Sequence, residues 1–91
     1  MYYSLLLVSP YNVNAAGNNR YPQGAQLVLN CQAEGGPQLG YNWTFSGSEI
    51  ANTQNLTIDN VNASSGGDYT CNVINNAGYD SDTITVYSES A

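Results

Sequence analysis

Apolar and polar residues alternate with a period of two along most of this chain, and no stretch sustains a period of 3.6. In "AQLVLNCQA" (25–33), Leu27, Leu29, Cys31 and Ala33 fall on one face while Val28, Asn30 and Gln32 fall on the other. The stretches "YNWTF" (41–45), "NLTIDNV" (55–61), "DYTCNVI" (68–74) and "YDSDTITVY" (79–87) alternate likewise. Between them lie "EGGPQLG", "SGSE", "NASSGG" and "NNAG", rich in residues that supply positive φ or local side-chain hydrogen bonds. Turn signals at this spacing predict an all-β fold of short antiparallel strands. "SLLLVS" and "YNVNAA" read as a split first strand, and no convincing helix is present.

Length limits this pattern to one small domain. Ninety-one residues build a single core, placed at about residues 5–87, and leave no room for a second. The longest apolar run, "SLLLV" (4–8), is far short of a membrane span, and "MYY" before it lacks the basic flank of a signal peptide. The chain therefore reads as one unit of a larger multidomain protein, with any signal peptide and membrane anchor in sequence beyond it.

Charge narrows the partners. Seven carboxylates face a lone Arg20, with no lysine or histidine, for a formal net charge of −6. Nucleic acid and direct membrane contact are disfavoured, because both need Lys or Arg to neutralise phosphate. Asp80 and Asp82, two apart on one strand, with Asp59 and Asp68 elsewhere, offer oxygens to calcium but no D-x-D-x-D-G loop, and read as solvated carboxylates. No metal and no cofactor is expected.

Catalysis fails on the same inventory. Without histidine or lysine there is no base beside a nucleophile and no phosphate-binding lysine. The only cysteines, Cys31 and Cys71, are too few for a zinc site and have no group beyond Arg20 to depress a thiol pKa. Composition leaves them as a disulfide or as two buried core thiols. If joined, their loop of about 40 residues would contribute on the order of 4 kcal/mol in the chain-entropy model.

The spacing of a few residues resembles a known family. Cys31, Trp43 twelve residues on, "LTI" at 56–58 and "GDYTC" at 67–71 are similar to the immunoglobulin-like β-sandwich. Cys71, Val73, Asn75 and Gly78 resemble the C-x-A-x-N-x-x-G run of intermediate-set (C2-like) domains, with Val73 in place of alanine. The resemblance implies two antiparallel sheets, A-B-E(-D) and G-F-C(-C′), with too few residues after Trp43 for a C″ strand. It implies a Cys31–Cys71 disulfide between strands B and F and a core containing Trp43, Tyr69, Leu29, Leu56, Ile58 and Val73. Tyr69 matches the tyrosine corner, a structural role. The chain departs from the family where Ser65 stands in place of an aspartate six residues before the second cysteine. Arg20 lies outside the region of that aspartate's partner, so that salt bridge is expected to be absent, with Ser65 free to cap the turn at "NASSGG".

Surface features carry the functional expectation, because the fold alone implies none. Three N-x-[ST] sequons, at Asn42, Asn55 and Asn62, fall where alternation predicts exposure and make these candidate N-glycosylation sites, although thirteen asparagines would yield one or two by chance. Of eight tyrosines, Tyr69 and Tyr41 are assigned to the core and Tyr11, Tyr21, Tyr79 and Tyr87 to exposed positions. Such tyrosines either cover sheet edges or serve recognition. Tyr79, Tyr87, Asn75 and Asn76 are the candidate partner contacts. The resemblance implies an extracellular recognition or adhesion module of a cell-surface adhesion molecule or receptor tyrosine kinase ectodomain. Its partner would be a protein, with homophilic pairing the first guess. A spacer domain in a tandem array is the alternative reading.

Overall fold

Leu27, Leu29, Cys31, Trp43, Tyr69, Cys71, Val73 and Val86 are almost completely removed from solvent, and each occupies an inward position of the alternation seen in the sequence. A computed structural model describes residues 6–90. It contains eight strands: β1 (Val8–Gly17), β2 (Arg20–Pro22), β3 (Leu27–Gly36), β4 (Gly40–Phe45), β5 (Ser48–Ala51), β6 (Asn55–Ile58), β7 (Gly67–Asn75) and β8 (Gly78–Glu89). One sheet runs β1-β3-β6 and the other β2-β8-β7-β4-β5, and the core lies between them. All ladders are antiparallel except β2 with β8, which is parallel.

A closed circuit of bonds fastens the sheets to each other. Trp43 on β4 lies opposite Cys71 on β7, and Cys71 is disulfide-bonded to Cys31 on β3, with Cα atoms 6.3 Å apart. The backbone N–H of Cys31 donates to the carbonyl of Gln54 (3.1 Å), which also accepts from the indole N–H of Trp43 (3.3 Å). The Gln54 side chain returns to donate to the Cys31 carbonyl at 2.8 Å. Every polar group that Trp43 and the bridge bring inward is thereby paired, which removes the usual cost of burying it.

At the opposite pole, Asn62 caps a single 3₁₀ turn, Ala63–Ser65. Its side-chain oxygen accepts from the Ser64 N–H, and Ser65 Oγ accepts from the Asn62 N–H. Sequence analysis read "NASSGG" as a loop capped by Ser65, and the capping bond is present inside this helical turn. The Tyr69 hydroxyl donates to the Ser65 carbonyl at 2.5 Å, and its ring packs against Phe45 with centroids 4.5 Å apart. Burial pushes the Tyr69 phenol above its ordinary pKa.

Six expectations change. Tyr21, assigned to the surface, is buried: its hydroxyl accepts from the Asn18 N–H and donates to the Val28 carbonyl, both at 3.1 Å. It closes the crossing where the chain leaves β1 in one sheet for β2 in the other. The split of the first strand falls at that crossing and not at Pro10, where β1 continues through irregular register around Asn12. The residues of "SLLLVS" before Leu6 lie outside the described residues. Asp82 is half-buried rather than solvated, and its Oδ2 accepts from the Ala15 N–H at 2.8 Å, tying β1 to β8. "SGSE" is a turn only at Ser46 and Gly47, both at positive φ, after which Ser48 begins β5, the C′ strand. No D strand forms among the described residues, because three residues carry the chain from β5 directly into β6. Ile58 and Tyr41 are half-buried and pack at the margin of the core.

Replacing Trp43 with alanine is expected to cost about 3–5 kcal/mol, whereas Tyr21→Phe, which removes two hydrogen bonds and little volume, costs about 1–2 kcal/mol. Urea denaturation of both variants beside the parent checks the order; a Trp43→Ala chain as stable as the parent would contradict the bond circuit.

Candidate protein-interaction surface

The outer face of the five-stranded sheet is set by the same alternation that fills the core. With Tyr69, Cys71 and Val73 inward on β7, Asp68, Thr70, Asn72 and Ile74 point outward; β8 contributes Tyr79, Ser81, Thr83, Thr85 and Tyr87. Over most of this face, cross-strand neighbours satisfy one another. Thr70 and Thr83 share a hydrogen bond at 2.8 Å, Thr85 Oγ1 donates to Asp68 at 2.7 Å, and Asn72 donates to Asn42 at 2.9 Å. Asn42 in turn donates to Glu49 at 2.7 Å.

The ladder ends at Ile74. On β8 it faces Tyr79, and on β4 it faces Gly40, which has no side chain to cover it. Ile74 and Tyr79 are therefore left 58% and 73% exposed. Together with Gly40, Tyr41, Asn42 and Asn72 they line a shallow depression of about 310 Å³. A second cleft of about 520 Å³ adjoins it around the end of the β7–β8 hairpin, where Leu7, Pro37, Gln38, Asn75 and Asn76 meet Ile74. No charged side chain lines either cleft, although the chain carries a net charge of −6. An uncharged apolar patch rimmed by amides has the composition of an interface centre.

The candidate contacts from sequence fare unequally in this geometry. Tyr79 and Asn76 border the same surface through their shared neighbour Ile74. Asn75 is a hairpin clamp: its Nδ2 donates to the Val8 carbonyl at 2.7 Å and its Oδ1 accepts from the Ala77 N–H at 2.8 Å, so both ends of its amide are engaged within the chain. Tyr87 lies at the other end of β8, against the Arg20 guanidinium at 5.2 Å, and Arg20 forms an exposed ion pair with Glu89 at 3.5 Å. Ile74 and Gly40 escaped the sequence reading, because a lone outward isoleucine is unremarkable until its neighbour is known to be glycine. The signal available was the outward place of Ile74 in "DYTCNVI".

The sequons also divide. Asn55 and Asn62 are exposed, whereas Asn42 is half-buried in the middle of β4 with both ends of its amide engaged. Among the described residues no group of three or more His, Cys, Asp or Glu is arranged to hold a metal ion.

Comparison with known proteins agrees with this geometry. The family model described as an immunoglobulin domain matches residues 9–87. Contactin-3 of Rattus norvegicus is 33% identical over 87 residues, an alignment covering 81% of this chain and 8% of that protein. The chain thus corresponds to a small part of that relative. Among solved structures, Sidekick-1 immunoglobulin domains 1–5 superpose with a TM-score of 0.84 at 17% identity, covering 94% of this chain and 21% of that one. Titin domain M7 gives 0.82 at 22% identity over 94% of this chain and 99% of that one. Extracellular domains 3–5 of Drosophila OTK give 0.77 at 24% identity, covering 88% and 31%. At these identities the structural matches speak to the fold.

Tyr79→Ala and Tyr87→Ala are each expected to change folding stability by no more than about 0.5 kcal/mol, as surface substitutions do. Thermal or urea unfolding decides it, and loss of folding in either would move that tyrosine into the core.

Proposed function

We propose that this chain, which belongs to the immunoglobulin domain family, is an extracellular protein-recognition module of a cell-surface adhesion or receptor molecule, and that its partner is another copy of the same domain. The observation that carries this reading is the exposed Ile74–Tyr79 pair beside the gap at Gly40, an uncharged apolar surface on an otherwise acidic domain. Similarity to contactin-3, and the pairing of both cysteines, support an extracellular adhesion setting, since disulfides persist in oxidising compartments. The proposed role is contact rather than catalysis: the chain has no histidine or lysine to act beside a hydroxyl nucleophile.

Two copies docking through this surface bring together apolar rings and amides while their carboxylates stay at the margins. The net charge of each copy opposes the approach, so salt should strengthen pairing by screening it. A spacer role is the second reading. It is favoured by Val8 and Glu89 lying at opposite poles, the first beside the β7–β8 hairpin and the second beside Gln23, so that units can join end to end.

Beads coated with the domain test the first reading. They are expected to aggregate, more strongly at 0.5 M than at 0.05 M salt, and Ile74→Arg is expected to abolish aggregation without unfolding the chain. Dispersed beads at every salt concentration, or aggregation that survives Ile74→Arg, would overturn homophilic recognition through this face and leave the spacer reading in front.

A further inference from the structure

Among the described residues no fourth strand lies beside β6, which leaves an open flank. β6 is an edge of the three-stranded sheet and β5 an edge of the five-stranded sheet, and both border the same side of the sandwich. Edges of this kind expose backbone groups and the core between them, and proteins commonly cover them. Here the opening is a cleft of about 260 Å³ whose wall includes Phe45, Ile50, Leu56, Ile58 and Tyr69, an apolar lining that reaches the buried core. Asn62 stands in that same wall.

The Asn62 side chain is held in one orientation. Its Oδ1 accepts from the Ser64 N–H (2.9 Å), from Ser64 Oγ (2.7 Å) and from Ser65 Oγ (3.3 Å). Its Nδ2 makes no hydrogen bond among the described residues, in contrast to Asn42, whose Nδ2 is bound to Glu49. Asn62-Ala63-Ser64 is also a sequon. An exposed amide nitrogen, fixed at the wall of an apolar cleft within an acceptor sequence, has the placement from which an attached carbohydrate can lie back over the cleft.

We infer that Asn62 carries an N-linked carbohydrate that covers the apolar cleft between β5 and β6, taking the place of the missing edge strand. The inference rests on the extracellular reading. In the transfer, the Asn62 Nδ2 forms a bond to the anomeric carbon of a lipid-diphosphate-linked oligosaccharide. The bond from that carbon to the diphosphate oxygen breaks, the lipid diphosphate leaves with the electron pair, and the amide releases one proton to the transferring enzyme. The less polar faces of the first sugars then pack on Phe45, Ile50 and Ile58, while their hydroxyls meet water and the unpaired edge of β6. The outer face bearing Ile74 and Tyr79 belongs to the other side of the five-stranded sheet and stays free of this carbohydrate.

The test is to secrete the chain from an animal-cell host and map the masses on Asn42, Asn55 and Asn62. Thermal unfolding and binding of an apolar fluorescent dye are then compared with three controls: Asn62→Asp, Asn55→Gln, and the parent refolded from bacteria with all asparagines bare. Aspartate keeps the capping oxygens, so Asn62→Asp removes the carbohydrate without the cap, and the bacterial protein removes it without adding charge. The expected result is an occupied Asn62. Asn62→Asp and the bare parent should both bind more dye and melt lower, by on the order of 4 °C, with Asn55→Gln matching the secreted parent. An unmodified Asn62, or equal melting and dye binding with and without its carbohydrate, would overturn the inference. Occupancy in a secretory host reports the chemistry of the site whatever compartment the natural protein occupies, so failure here is distinguishable from failure of the extracellular reading.

Discussion

Four residues hold this domain in one piece: Trp43 lies beside Cys71, Cys71 is bonded to Cys31, Cys31 pairs with Gln54, and Gln54 accepts the indole proton of Trp43. Each link joins segments far apart in sequence, and together they connect both sheets and the strand connection on the open flank. A chain of 91 residues has a core too small to be generous in stability, so a covalent tie that also satisfies its own polar groups supports everything around it. The inward faces of β3 and β7 meet in a fixed register, and the outward faces are fixed with them. The exposed apolar patch at Ile74 and Tyr79 is in this sense a by-product of the core: it exists because Val73 and Cys71 must point the other way.

What the sequence made legible follows from how local each signal is. Strict alternation along "QLVLNCQA" and "DYTCNVI" identifies two central strands, because one face of each is wholly buried and the period is two. The spacing of Cys31, Trp43, Tyr69 and Cys71 made the sandwich and its bridge legible only through its resemblance to the immunoglobulin-like family; composition alone left the cysteines as a disulfide or two thiols. Less was legible where a residue's role depends on how separate strands and turns pack against one another. Tyr21 looks like any turn-flanking tyrosine until Val28 and Asn18 close around its hydroxyl. Asp82 looks like a surface carboxylate until β1 passes over it and presents the Ala15 N–H. Gly40 and Ile74 form a depression only when β4 and β7 are aligned, and Asn75 is a clamp only because β1 enters beside the hairpin.

The two flanks of the sandwich differ in chemistry in a way that suits a module meeting other proteins. On the outer face of the larger sheet, threonines and asparagines satisfy one another across strands and leave one apolar patch uncovered, so that the proposed recognition would be confined to a small area. On the open flank, two sheet edges and an apolar cleft would invite indiscriminate strand pairing, and there the exposed Asn62 stands in the cleft wall. The carboxylates give the chain a net charge of −6, which makes any contact between copies sensitive to salt.

The Cys31–Cys71 bridge is the covalent link of the core, and the proposed extracellular setting rests on its persistence in the working protein. Mass-spectrometric peptide mapping, without reduction, of protein taken from its natural source tests it most directly. The expected result is a single linked peptide pair joining Cys31 to Cys71 with no free thiol. Quantitatively free cysteines would contradict it, opening the bond circuit at its covalent link and removing the extracellular setting with it.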